Sequence, residues 1–157
     1  MMEIKQLFEF YSQNGKVMSI SVRPERIKPV NLLTEVEAIV NKGLNGDRSK
    51  GGNRQVTFIQ HEHITAVASF IGKQMLDFTL TRRNILISGI NLLALKGKQF
   101  AIGEAVFEYS GECHPCSRME EALGTGGYNA MRGHGGITAK VIKSGILKQN
   151  DAVVVLK

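Results

Sequence analysis

In the first third of the chain, apolar residues recur at every second position. From Gly15, Lys-Val-Met-Ser-Ile-Ser-Val22 alternates apolar with small polar side chains, the period of a half-buried strand, and Pro24 and Pro29 end it. Thr34-Glu-Val-Glu-Ala-Ile-Val40 places Val36, Ala38 and Val40 on one face and two glutamates on the other, which predicts a second strand. Val56 to Gln60 is β-branched and apolar enough for a third. After it the period changes: apolar residues at 64, 67, 68 and 71 form a helical stripe over His61 to Phe70, and Gly72 stops it. Phe78 to Ile87 fits either strand, turn and strand or a short helix. Gln99 to Tyr109 alternates again, interrupted at Gly103 as a hairpin turn or bulge requires. Ile137 to Ile142, Gly145 to Leu147 and Ala152 to Leu156 are three more β-prone runs. Many short strands with only two short helices, the second just after Cys116, predict a mainly β fold closed, or nearly closed, into a barrel.

Between these elements lie two stretches rich in loop-forming residues. Asn41 to Asn53 reads as a long loop carrying Gly46-Asp47-Arg48, and loops of that length in a compact domain are often functional. Glu104 to Val141 holds both cysteines of the chain, Cys113 and Cys116, two of its four histidines and its densest glycine run. The glycines from 124 to 136 read as a mobile loop with free backbone donors beside the thiols.

At 157 residues the chain is one domain's worth of sequence. No apolar run approaches the roughly 20 residues of a membrane helix, and the charged start, MMEIKQLFEFYSQNG, is not a secretory signal. A soluble cytoplasmic protein is expected, with its cysteines resting as thiols. The net charge of +6 and pI of about 9.5 favour an anionic partner. Nucleic acid is the first candidate, but the basic residues are scattered, aromatics are 6%, and no helix-turn-helix or zinc-finger spacing occurs. A small phosphorylated ligand held by a few arginines explains the charge equally well.

Cys113-His114-Pro115-Cys116 between a strand and a helix is also the local setting of a thioredoxin-like dithiol. No proline follows Cys116 to face such a site, and too little chain remains to build that fold. A structural zinc site needs four ligands, and no second C-x-x-C or H-x₃-H is present.

The residues around the cysteines resemble the MOSC domain family, named after the C-terminal part of eukaryotic molybdenum cofactor sulfurase. Gly43-Leu-Asn-Gly-Asp-Arg48, Arg54-Gln-Val-Thr-Phe, Arg82-Arg83-Asn84-Ile, Gly89-Ile-Asn-Leu, Gly135-Gly136-Ile-Thr-Ala and Asn150-Asp151-Ala-Val-Val follow one another in the family's order. The resemblance implies a MOSC-like β-barrel over residues 15–157, preceded by an N-terminal extension, residues 1–14.

It also implies molybdenum cofactor as the ligand and Cys116, aligned on the Pro-Cys pair, as the central residue. Thiolate is a soft ligand for a polarisable metal and also the form that carries sulfur as a persulfide. Cys113 either resolves an oxidised Cys116 or merely packs; His114 is either a proton donor or an exposed loop residue. Of the adjacent Arg82 and Arg83, one is expected on the surface and the other facing the site, where a guanidinium fork suits a pterin phosphate. Asn84, Arg48, Arg132 and His134 complete the expected cofactor-binding set. The Gly124 to Gly136 run has the composition of a backbone nest for an anion, and equally that of an ordinary connection.

The family's eukaryotic sulfurases add a pyridoxal-phosphate desulfurase domain, for which this chain has no room, so pyridoxal phosphate is not expected here. A sulfur carrier would be charged by a separate cysteine desulfurase and would serve a molybdoenzyme. A molybdenum-dependent reductase of N-oxygenated small molecules would draw electrons from a separate reductase, since no flavin, haem or iron-sulfur motif is present. A polyanion or RNA binding module is supported by charge alone.

Overall fold

The alternating segments pair edge to edge until the first meets the last. The computed structural model, which describes residues 1–157, begins with a short helix α1 (Ile4–Leu7), followed by β1 (Gly15–Val22), β2 (Asn31–Leu33), β3 (Glu35–Ile39), β4 (Gly43–Leu44) and β5 (Val56–Gln60). Helix α2 (His61–Phe70) leads through a 3-10 turn at Phe78–Thr81 to β6 (Ile85–Ser88). A second 3-10 turn, Leu92–Leu95, precedes the hairpin of β7 (Gln99–Ile102) and β8 (Ala105–Glu112). Helices α3 (Ser117–Leu123) and α4 (Gly127–Met131) and strands β9 (Ile137–Lys143), β10 (Gly145–Lys148) and β11 (Ala152–Val155) complete the chain.

Seven strands form a closed ring in the order β1-β6-β5-β9-β8-β7-β11, and Gly15 opposite Val153 seals β11 to β1. β2 hangs on β1 outside the ring, and β10-β3-β4 form a separate sheet. Every pairing is antiparallel except β5 with β6, which α2 connects. A parallel pair needs such a crossover, and it covers the outer face of its strands. β5 is accordingly buried at all five positions.

Phe58, Phe100 and Phe107 fill the barrel interior with ring centroids 5.3 to 5.7 Å apart. Each such pair adds about 0.5–1.5 kcal/mol beyond the area it buries. Val36, Ala38, Leu44 and Leu147 of the smaller sheet join the same core. On the outer face, Ile59 and Leu86 meet Ile64 and Val67 of α2, Met119 and Leu123 of α3, and Ala130 and Met131 of α4 in a second cluster. That cluster fixes α3, and with it Cys116, against the barrel wall.

The expected strands and α2 form where the alternation places them, but three local readings change. Val40 lies beyond the end of β3 and is exposed. Phe78 to Ile87 is a 3-10 turn, capped by the Asp77 carboxylate accepting from Thr79 N–H, then Arg82 at φ 58°, then a strand. The stretch from 124 to 136 is not an open loop, because α4 occupies its middle. At Gly127 a Cβ would lie 2.6 Å from the Leu123 Cβ, so glycine is what lets α4 close on α3. The Glu120 carboxylate accepts from Gly126 and Tyr128 N–H and caps the join. There are four α-helices, not two. Residues 1–14 run along the barrel, held by Tyr11 Oη donating to Ala94 O and Gln13 Nε2 donating to Gly89 O.

Candidate functional site

β8 delivers the chain to Cys113, and the backbone turns through His114 and Pro115 so that Cys116 becomes the N-cap residue of α3. The two thiols end in different surroundings. Cys116 is exposed and Cys113 is buried. Cys113 belongs to neither apolar cluster. Its sulfur instead accepts from Arg54 Nη2 at 3.5 Å. His114 is exposed.

Arg83 holds this turn in place. Its Nε donates to Gly135 O at 2.8 Å, Nη1 to Thr81 O at 3.1 Å, and Nη2 to Cys113 O and His114 O, each at 3.3 Å. No carboxylate pairs with it. Burial lowers its pKa from the ordinary value, and the nearby Cys113 and Cys116 sulfurs oppose that effect. Four of its five N–H donors are committed to backbone carbonyls, so it orders the cysteine turn and has little left for a phosphate. Gly135 and Gly136 are the matching requirement on the other side. A Cβ at Gly135 would lie 2.0 Å from Cys113 O, and one at Gly136, where φ is +90°, 1.9 Å from Phe58 O. The Gly-Gly pair of the sequence motif therefore serves close approach of three backbones, not an anion nest.

Asn84 is fully buried. Its Oδ1 accepts from Thr57 N–H and Oγ1, and its Nδ2 donates to Ser21 O and Asp47 Oδ1. The amide has no capacity left for a ligand. Asp47 also accepts from Arg23 N–H, Nε and Nη2 and from Ser49 N–H, with the Arg23 ion pair at 3.0 Å. Burial pushes the Asp47 pKa up, but these donors outweigh it and hold the carboxyl below its ordinary value. The Gly46-Asp47-Arg48 and Arg82-Arg83-Asn84 motifs thus meet in one buried polar knot that locks the 41–53 loop to the barrel.

Outside that knot, guanidinium groups gather. Burial and the charges of Arg23, Arg48 and Arg118 all lower the Arg82 pKa, with Asp47 alone opposing them. Asp47 is already engaged by Arg23. Arg82 spends two donors on the carbonyls of Lys28 and Glu25. It shares with Arg118 a cleft of about 330 Å³, walled by Ile27, Leu80, Met119, Ala122 and one carboxylate, Glu121. Arg118 lies two residues beyond Cys116, and neither it nor Arg48 makes an ion pair. Sequence reasoning passed over Arg23 and Arg118; the Ser117-Arg118 step just after Pro-Cys was the available signal.

His134 and Arg132 stand apart from this group. His134 packs edge-on against His63 of α2 with centroids 4.5 Å apart, and beside Phe70 at 5.7 Å. Its Nδ1 is buried without a partner. Arg132 is exposed just after α4. No group of three or more His, Cys, Asp or Glu side chains is placed to hold a metal ion.

An exposed cysteine at the N-cap of a helix packed on a closed β-barrel defines a thiol-bearing β-barrel domain. The chain belongs to the MOSC domain family, whose sequence model matches residues 45–154. Three bacterial structures share its fold. YuaD from Bacillus subtilis is 17% identical with a TM-score of 0.78, covering 91% of this chain and 96% of its own. YiiM from Geobacillus stearothermophilus is 17% identical with a TM-score of 0.76, covering 91% and 75%. YiiM from Escherichia coli is 18% identical with a TM-score of 0.70, covering 90% and 70%. No curated protein sequence matches the chain. No helix is long and apolar enough to cross a membrane.

Proposed function

We propose that this chain binds molybdenum cofactor in the cleft beside α3 and carries sulfur to it as a persulfide on Cys116. The observation that carries this reading is the excess of guanidinium groups next to an exposed thiol. Arg48, Arg82 and Arg118 have two carboxylates near them, Asp47, which Arg23 already occupies, and Glu121 on the cleft wall, so a phosphorylated ligand supplies the further negative charge that three guanidinium groups call for. The apolar walls from Ile27, Leu80 and Met119 suit the flat ring of such a ligand. When bound, the cofactor supplies a polarisable metal that takes sulfur ligands; the chain orients it and presents the donor. Cys116 needs an outside source of sulfur, so a separate cysteine desulfurase charges it and a molybdoenzyme receives the product.

The phosphate clamp is therefore assigned to Arg82 and Arg118, with Arg48 at its rim, and Arg83 to the support beneath. Titration with metal-free molybdopterin tests this. Arg118→Ala and Arg82→Ala are each expected to weaken binding by one to two orders of magnitude, since a hydrogen bond to a charged group is worth about 1.5–3 kcal/mol. Cys116→Ser should bind the pterin as wild type does but accept no sulfur. Unchanged binding in both arginine variants overturns the assignment.

A further inference from the structure

We infer that Cys113 is a resolving thiol, which attacks the persulfide on Cys116 and thereby supplies the electrons that release its outer sulfur as sulfide. This rests on the sulfur-carrier reading and extends it. A buried cysteine that only fills space sits among apolar side chains. Cys113 is 2% exposed yet lies outside both apolar clusters, with a guanidinium donating to its sulfur. Arg54, which provides it, is itself exposed and makes no ion pair. Arg83 pins the carbonyls of Cys113 and His114 and brings both sulfurs into reach of one buried positive charge. Two residues separate Cys113 from Cys116, so both thiols lie on the one short segment that joins β8 to α3.

The chemistry balances without a further reagent. Thiolate of Cys113 attacks the Cys116 Sγ, a Cys113–Cys116 disulfide forms, the bond from Sγ to the outer sulfur breaks, and hydrosulfide leaves with the electron pair. The sulfane sulfur is reduced by two electrons and the two cysteines are oxidised by two. An acceptor that takes sulfur as sulfide thus receives it already reduced, and an external dithiol then restores the cysteines.

The test charges the full chain with inorganic polysulfide, removes the excess, and follows released sulfide and intact mass with no reductant present. Wild type is expected to release one sulfide per chain and end as an internal Cys113–Cys116 disulfide. Cys113→Ser should keep its sulfur on Cys116. Arg54→Ala, a surface change, should release sulfide more slowly, because the hydrogen bond that holds the Cys113 sulfur in place is lost. Its rate should recover in Arg54→Lys. Equal release from wild type and Cys113→Ser overturns the inference and leaves the carrier reading standing. Failure of Cys116 to take up sulfur in any variant overturns both.

Discussion

Arg83 Nε donates to the Gly135 carbonyl at 2.8 Å, and through that bond the turn after β8 and the approach to β9 share one buried cation. Arg83→Ala removes four such bonds and leaves buried carbonyls without donors. A destabilisation of about 3–5 kcal/mol is expected, because each stranded polar group costs about 1–3 kcal/mol and the site relaxes in part. Arg83→Lys, with a shorter reach and no planar fork, should recover less than half of it. Urea denaturation measures both. A loss below about 1 kcal/mol for Arg83→Ala would show that the turn holds itself.

The Asp47 knot makes acid stability predictable in sign. Its folded pKa lies below the unfolded value of about 3.9, so its contribution is present above that value and is lost as pH falls through the folded pKa. Wild type should therefore lose stability on acidification below about pH 5. Asp47→Asn should be about 3–5 kcal/mol less stable at neutral pH, since it strands Arg23, and should lack that part of the acid slope. Denaturation midpoints from pH 3 to 8 for the two proteins check the sign; parallel curves would remove Asp47 from the account.

Two kinds of glycine should separate cleanly. Gly135→Ala and Gly136→Ala place a methyl about 2 Å from a backbone oxygen and are expected to abolish folding or solubility. At Gly126 and Gly133 a Cβ meets nothing within 4 Å, so alanine there costs only the strain of positive φ, about 1–2 kcal/mol. Soluble yield and melting temperature of the four variants distinguish the classes.

The thiols should differ in accessibility. Limiting iodoacetamide near neutral pH, followed by peptide mapping, should label exposed Cys116 well ahead of buried Cys113. Preferential labelling of Cys113 would mean that the turn opens in solution and would transfer the carrier role to that residue.

Any nucleic acid binding that follows from the +6 charge should be weak and should collapse with added salt, as counterion release requires. Filter binding at low and physiological salt checks it; tight, sequence-selective binding at the higher salt would displace the cofactor proposal.

How far the chain could be read before folding depended on the range of the forces involved. β1, β3, β5, the β7–β8 hairpin and α2 announce themselves through side-chain period, because a half-buried face imposes its alternation on the residues that build it. β2 and β4 are too short to carry a period, and α4 hides in glycines that only make sense against Leu123 and Met119. At the site, an exposed Cys116 beside arginines was legible. The division of labour was not: Arg82 and Arg83 are neighbours in sequence, and only the left-handed turn at Arg82 sends one to the cleft and the other beneath the thiols. Asn84 looked like a ligand because it is polar beside two arginines, but its partners Ser21, Asp47 and Thr57 all arrive from distant segments. His134 precedes Gly135, whose backbone abuts Cys113, yet its ring packs on His63 of α2, a partner from a distant segment.

The seam between Gly15 and Val153 bears on how the protein is made. At about 5–20 residues per second, synthesis separates these partners by roughly ten seconds. Throughout that interval β1 has left the ribosome with one hydrogen-bonding edge bare, and the phenylalanines of the interior have no closed wall around them. Closure of the ring therefore waits for β11, the last of its seven strands in chain order, which bridges β7 and β1.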